Sequence, residues 1–434
     1  MSDRERSPAE PGSLAEHLEQ ALRPILRGGF PVRLRLWDGS VAGEAAAPAV
    51  TLRSPRALRR LLWHPGELGA AQAYVSGEIE IDGDLGSLLD HVRAVATQRG
   101  LTGVRFTPTT IRAALHAVRI ADALGPPPAP PATQARLRGR LHSLRRDRRA
   151  IAHHYDVTAE FYALLMDATM AYSCAYFESS DPAYGLHDAQ RAKLDLVCRK
   201  LGLAPGKRLL DVGCGWGSLA LHAAREYGVQ VTAVTIAAEQ RRHVAARIAA
   251  EGLADRVTVR LEDYRAVPER DHFDAVASIE MGEHVGETNY PTYAEVLRRS
   301  VRPGGRVLLQ QMSRRGQGGG RHPGGGPFIE AFIAPDMHMR PVGETIAFLE
   351  GVGLEVRDVH CLREHYVRTV AAWQANLETH RERLRQLVGE EMLRVWDLYL
   401  TGGAQAFRDG RMGVDQILAV RPGAAHTLEA VRSW

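Results

Sequence analysis

The stretch from Leu209 to Gln240, LLDVGCGWGSLALHAAREYGVQVTAVTIAAEQ, constrains this chain most. It reads as an apolar strand, a glycine-rich turn, an amphipathic helix and a second apolar strand. Asp211 closes the first strand and Gly213, Gly215 and Gly217 make the turn, where glycine lets the backbone take positive φ and approach a ligand closely. This is the nucleotide-binding corner of a doubly wound α/β sheet, where ligands sit at the carboxyl ends of the strands. The second strand ends Val234-Thr235-Ile236, without the acidic residue that marks an NAD ribose site. The pattern therefore favours S-adenosylmethionine over a dinucleotide.

Strand and helix patterns continue to alternate beyond that corner. Apolar runs at Val257–Leu261, Phe273–Ile279 and Arg306–Gln310, the last after a Pro303-Gly304-Gly305 turn, read as further strands. The alternation predicts a parallel sheet, with a mostly helical C-terminal third from Val342. A Gly-rich segment, Gly316–Gly326, reads as a mobile loop near a pocket mouth or as a tolerated insertion.

A chain of 434 residues exceeds one ordinary core. The sequence divides into a flexible tail (1–13), a smaller mixed α+β N-terminal domain (14–124), a Pro-rich and Arg-rich linker (125–150) and a catalytic domain (151–434). In the N-terminal domain, Val32–Trp37 alternates apolar and basic residues and ends in the turn pair Asp38-Gly39. The boundary is drawn at Gly125–Pro131, a stiff proline-rich spacer. With 45% hydrophobic and 24% charged residues the composition is that of a soluble globular protein. No membrane-spanning run or signal peptide is read, and four scattered cysteines without CxxC spacing point to a reducing cytoplasm.

The net charge is only +4 but unevenly spread, with seven arginines and one acid between Arg136 and Arg149. Interleaved with Leu137, Leu141 and Leu144, they read as a short basic amphipathic helix for an anionic membrane surface, or as a solvated linker. No aromatic-interleaved basic surface points to nucleic acid.

Asp211 is placed to hold an amino or hydroxyl group of the cofactor, or simply to cap its turn. Asp263-Tyr264 follows the third strand, where an acid can accept from an adenine amino group or close a surface turn. Glu280-Met281-Gly282-Glu283-His284-Val285-Gly286 follows the fourth, and a Glu and a His there can act as acid and base. Cys174 reads as a nucleophile or, more commonly for its type, as a small buried apolar residue. No metal site is read.

Several runs in fixed order resemble the cyclopropane fatty acid synthase family of S-adenosylmethionine-dependent methyltransferases. They are His153-His154-Tyr155-Asp156, Tyr172-Ser173-Cys174, Leu210–Gly217, Val234–Gln240, Glu262-Asp263-Tyr264, Glu283-His284-Val285-Gly286 with Asn289-Tyr290, and His365-Tyr366. The N-terminal run Ala73–Ile79 resembles the extra domain of the longer bacterial members. The resemblance implies methylation of a cis double bond in a phospholipid acyl chain, through a carbocation that loses a proton to give a cyclopropane or a methylene branch. It implies an apolar tunnel, a homodimer, a peripheral place at the cytoplasmic face of the membrane and, for a methylene product, a separate reductase.

For the cofactor, the resemblance selects Tyr172, Ser173, Asp211, Gly213, Gly215, Gly217, Thr235, Gln240 and Asp263. For catalysis, it implies a bound bicarbonate as base, held by Cys174 through its backbone, Glu283 and Tyr366, with His284 alongside. The family's His in the fourth position is Gln310 here, which can donate a hydrogen bond but carries no charge. Gln310 weakens anion capture and resembles the branch that makes methylene-branched chains of the tuberculostearic type, whereas Glu283-His284-Val285-Gly286 resembles the ring formers, so both products stay open. A second departure, Phe332–Pro341, offers His338 as a replacement imidazole.

Overall fold

The structure, a computed structural model, describes residues 12–101, 107–137, 139–155, 158–316, 322–432 and 434. Most of the expected tail, the middle of the Gly316–Gly326 loop and the side chains of the His153–Asp156 run lie outside what is described. The chain divides into two compact units. One runs to Gln134 and includes Arg394–Leu398; the other comprises Ala135–Leu393 and Tyr399–Trp434.

The first unit holds α1 (Leu14–Leu26), β1 (Arg33–Arg35), β2 (Val41–Ala42), β3 (Ala49–Leu52), α2 (Pro55–Trp63), α3 (Glu67–Val75), β4 (Ile79–Asp82), α4 (Leu85–Gln98) and α5 (Pro108–Ile120). Its sheet has the order β2-β1-β3-β4, with β1 parallel to β3 and the other pairs antiparallel. The alternating pattern in Val32–Trp37 works as expected on a shorter strand: Leu34 is buried between exposed Arg33 and Arg35. Asp38 accepts from the Ser40 N–H at 3.0 Å, and Gly39 takes φ +86°, so the turn brings β2 back beside β1.

The second unit opens with α6 (Leu144–Tyr155), α7 (Ala159–Leu165) and α8 (Leu186–Leu201). Then come β5 (Arg208–Val212), α9 (Ser218–Tyr227), β6 (Gln230–Thr235), α10 (Ala238–Ala250), β7 (Val257–Leu261) and β8 (Phe273–Ile279). After these follow α11 (Tyr290–Ser300), β9 (Val301–Arg314), α12 (Val342–Gly351), β10 (Glu355–Cys361), α13 (Arg363–Thr379), α14 (Arg381–Arg408) and β11 (Met412–Val420). The seven strands lie in the order β10-β11-β9-β8-β5-β6-β7. Strands β5 to β9 are mutually parallel. Leu209 packs into one apolar cluster and its neighbours Leu210 and Val212 into another, so the sheet is covered on both faces. This is why its strands read as continuous apolar runs. The doubly wound Rossmann-like fold is as expected.

Two expectations are corrected. The sheet is mixed rather than wholly parallel, because β11 runs antiparallel to both β9 and β10. Residues 412–420, MGVDQILAV, lie in the region read as mostly helical. Gly413, Asp415 and Gln416 break up that strand's apolar signal, yet Asp415 and Gln416 are buried, with Asp415 accepting from Ser313 Oγ at 2.6 Å. Nor is Arg136–Arg149 one basic helix: the helix starts at Leu144, and 135–137 and 139–143 are irregular. Arg146 turns onto Asp336 in a two-pronged ion pair at 2.6 and 2.8 Å, and Asp147 accepts from Arg265 at 2.9 Å. These bonds tie the start of α6 to its own unit. Among the described residues no helix is long and apolar enough to cross a membrane.

Candidate active site

A cavity opens at the carboxyl ends of β5, β6 and β8, bounded on one side by α6. All nine sequence-selected cofactor residues except Gly217 line it. Gly217 caps α9 instead, at φ +86°. The turn between β5 and α9 is pinned when the N–H groups of Gly213 and Cys214 both donate to the Val234 carbonyl at 3.0 Å. Gly213, at φ +79°, lies so close to Met281 that a Cβ would fall 2.7 Å from its Cγ. Gly215, at φ +53°, faces open space, the condition for a ligand to approach the backbone.

The polar groups around this turn suit a nucleoside carrying an amino acid chain. Asp211 is buried, its Oδ2 has no hydrogen-bond partner, and burial pushes its carboxyl up to about 7. A ligand amino or hydroxyl group would satisfy it. Thr235 donates to Oε1 of Gln240 at 2.8 Å, which leaves the Gln240 amide NH2 as the end available to a ligand hydroxyl. Asp263 is occupied on both oxygens by Arg265, at 2.7 and 2.8 Å, with Oδ2 holding a single bond. Its neighbour Glu262 also lines the cavity, and its buried Oε2 makes no hydrogen bond, only an ion pair with Arg260 at 3.7 Å. Glu262 is therefore a second carboxylate at this end of the cavity with capacity to accept a ligand hydrogen bond, one that the sequence reading passed over for Asp263. Tyr172 donates to the Tyr399 hydroxyl at 3.3 Å, and Ser173 accepts from Lys193 Nζ at 2.7 Å. Lys193 is buried and its ammonium is pulled below the usual range by desolvation. It stands as the counter-charge to Asp211 and Glu280, and sequence reading missed it because it sits inside an apolar helix face.

At the other end of the cavity, four distant segments meet at Glu280, which lines it, with the remaining three behind. Cys174 and Tyr366 are both there, as is Gln310, but the carboxylate they face is Glu280, not Glu283. The Cys174 N–H donates to Glu280 Oε1 at 2.8 Å, Gln310 Nε2 donates to the same oxygen at 2.8 Å, and the Tyr366 hydroxyl donates to Oε2 at 2.7 Å. Glu280 directly follows β8 with φ +51°, an unusual conformation for a residue bearing a side chain, and it lines the cavity. Burial raises its carboxyl above the usual range while the three donors pull the other way.

Each donor is itself held. Gln310 on β9 lies opposite Gln416 on β11, whose Nε2 donates to Gln310 Oε1 at 2.9 Å. That bond aims the Gln310 NH2 at Glu280. The Tyr366 ring stacks on Phe407 with centroids 4.3 Å apart. The loop bearing Cys174 is held by Gln190, which donates to the carbonyls of Ala171 and Ser173 at 3.2 and 2.9 Å. The Cys174 thiol is fully buried and far above its usual range through desolvation, so the nucleophile reading does not survive and only the backbone N–H faces the site.

Glu283 lies one turn beyond. Its Oε1 accepts from the Met312 N–H, its Oε2 is buried without a partner, and burial beside Glu280 pushes it up to about 8. His284 lines the cavity, and desolvation lowers it to about 4, so it is neutral near neutral pH. His338 meets this segment through its backbone N–H, which donates to the Glu283 carbonyl at 2.8 Å.

This arrangement does not suit a bicarbonate held as the resemblance implies. Cys174 N–H and the Tyr366 hydroxyl have one hydrogen each, and both are spent on Glu280. A second anion would have to displace the carboxylate and lie beside it.

Residues 142–417 match the family described as mycolic acid cyclopropane synthetase. The chain is similar to a probable fatty acid methyltransferase from Pseudomonas putida, 38% identical over 400 residues, covering 91% of this chain and 93% of that one. It is similar to a tuberculostearic acid methyltransferase from Mycobacterium tuberculosis, 32% identical over 406 residues, covering 91% and 88%. A solved mycolic acid cyclopropane synthase complexed with S-adenosylhomocysteine is 31% identical, with a TM-score of 0.58 over 63% of this chain and 98% of that one. Identity to named members of the two product classes is thus nearly equal.

Proposed function

The chain belongs to the mycolic acid cyclopropane synthetase family and is an S-adenosylmethionine-dependent methyltransferase acting in fatty acid modification, and from that premise we propose that its acceptor is a cis double bond within a phospholipid acyl chain. Asp211, Gly215, Thr235, Gln240 and Glu262 would hold the cofactor, which supplies an electrophilic methyl group when bound. Tyr172, Ser173 and Asp263 complete its surroundings.

The observation that carries this reading is the composition of the cavity. Beyond the nucleoside end, its walls combine apolar Met170, Ile279, Met281 and Val285 with Glu280, held by uncharged donors, while Asp147 and Asp336 on the α6 side are each paired with an arginine. An alkene has no proton to give up before it attacks, so no base is needed to activate it. Attack leaves a cation on the chain, which the apolar walls shield from water and which is resolved by loss of a proton. Whether the electrons left behind close a ring or make an exocyclic methylene depends on whether a hydride has shifted first. Gln310, next to the carboxylate, is where a bias between the two outcomes would act. A methylene product would pass to a reductase.

Two surfaces support action at a membrane. In the first unit, α5 buries Ala113, Ala117 and Val118 and leaves Ile111 and Leu115 exposed at 45% and 53%, beside exposed Arg112 and Arg119. In the second, Leu141 and Leu144 are 56% and 50% exposed among exposed Arg140 and Arg145. Apolar side chains set among cations are what an anionic lipid surface takes up. The reading places the protein at the cytoplasmic face.

The test is transfer of labelled methyl groups from S-adenosylmethionine to anionic vesicles of oleoyl phospholipid, with saturated vesicles as control. Label in the unsaturated lipid alone is expected. Label in neither, with transfer to a soluble apolar molecule, would replace this reading with a small-molecule methyltransferase.

A further inference from the structure

We propose that Glu280 is the catalytic base: its carboxylate, fixed at the cavity by Cys174, Gln310 and Tyr366, takes the proton released by the alkylated chain, so that turnover requires no anion from solution. The proposal rests on the acyl-chain reading above.

Three donors from three separate segments converge on the two oxygens of one side chain, at 2.7–2.8 Å. Such convergence fixes a carboxylate's position through uncharged donors, with the buried Lys193 acting on it only as a nearby counter-charge and not as a hydrogen-bond donor. Each oxygen keeps lone-pair capacity for a proton, one bond being made at Oε2 and two at Oε1. The backbone of Glu280 is strained at φ +51°, a cost of about 1 kcal/mol or more that glycine would avoid. The Gln416–Gln310 bond leaves the Gln310 amide one orientation, with its NH2 held toward Glu280.

The step balances. The alkene π pair forms the bond to the incoming methyl carbon while the C–S bonding pair stays on sulfur, leaving a cation on the adjacent chain carbon. Glu280 then takes H⁺ from the methyl group. The C–H pair forms either the ring-closing C–C bond or, after a hydride shift, the exocyclic double bond. Glu280 ends protonated and returns its proton to water when the product leaves.

The experiment measures methyl transfer to oleoyl phospholipid vesicles by the full-length protein, in carbon dioxide-free buffer and with added bicarbonate. The wild type is expected to turn over equally, within about twofold, in both. Glu280→Gln is expected to lose at least about 100-fold in kcat, as for removal of a general base, with S-adenosylmethionine affinity within about threefold by calorimetry. Glu280→Gly, whose glycine suits the positive φ, frees the three donors, and its turnover is expected to rise with bicarbonate. Retention of most turnover by Glu280→Gln overturns the proposal. So does a tenfold or greater slowing of the wild type without bicarbonate, a measurement that stands even if the variants fail to fold. A wild type that labels no vesicle lipid at all overturns the acyl-chain reading itself, and the assignment of Glu280 with it.

Discussion

The nucleoside end of the cavity and the carboxylate end are built in opposite ways. The first comes largely from one continuous stretch, Leu209–Gln240, in which glycine φ values, a strand end and a helix start follow one another along the chain. The second needs the loop at Cys174, the end of β8, the middle of β9, the start of α13 and, behind them, β11. A locally encoded site binds a common group that many proteins share. A site assembled across the fold can change its chemistry through a residue such as Glu280 while every local motif stays intact. Cofactor capture and proton removal should therefore be separable by mutation.

The widest separation is expected between Asp211→Ala and Glu280→Gln. Loss of a charged partner to the ligand costs about 1.5–3 kcal/mol, so Asp211→Ala should weaken S-adenosylmethionine binding by about 10- to 100-fold in calorimetry. Glu280→Gln should spare that binding and lose turnover. Equal loss of affinity in both variants would merge the two ends into one site.

A smaller effect tests whether either end depends on the lipid surface. Ile111→Glu with Leu115→Glu should weaken sedimentation with anionic vesicles by about tenfold, since two exposed apolar side chains are withdrawn from the interface. Turnover on detergent-dispersed lipid should hold. A parallel drop there would mean that α5 acts on the fold.

Gln416→Leu sharpens the comparison from behind. It removes the hydrogen bond that aims Gln310, worth about 1 kcal/mol, and should lower kcat about fivefold with cofactor affinity and KM unchanged. A fall in affinity instead would place β11 in cofactor binding.

The smallest effect concerns Glu283. Its folded carboxyl titrates at about 8 against an ordinary value of 4.5, so between those pH values the folded protein holds a proton that the unfolded chain has released. Its contribution therefore lowers stability as pH rises through that window and levels off above about pH 8. Glu283→Gln should make the decline in Tm across the window shallower in calorimetric melts. An unchanged slope would show that Glu283 is ionised throughout.

The sequence made the nucleotide corner legible because strand, turn and helix signals there are all short-range. It also brought Cys174, Gln310 and Tyr366 forward as residues of one site. The acid failed to follow because Glu280 and Glu283 are three residues apart, and only the φ of Glu280 directs its carboxylate to the other three. Strand β11 was hidden because Asp415 and Gln416 sit in its interior, where they serve Ser313 and Gln310 instead of an apolar neighbour. The arginines of 136–149 likewise gave a periodicity that ignored Asp336, 190 residues beyond Arg146. Local pattern carries no information about such partners.

The most direct test of the central claim is to count deuterium in the lipid product. Oleoyl vesicles would be treated with S-adenosylmethionine bearing a trideuterated methyl group, and the fatty acid methyl esters analysed by gas chromatography–mass spectrometry. If the chain cation is resolved by proton loss from the transferred methyl group, as the placement of Glu280 requires, the added carbon keeps two of its three deuteriums, in a ring or a methylene branch alike. An added carbon that keeps all three would contradict the account.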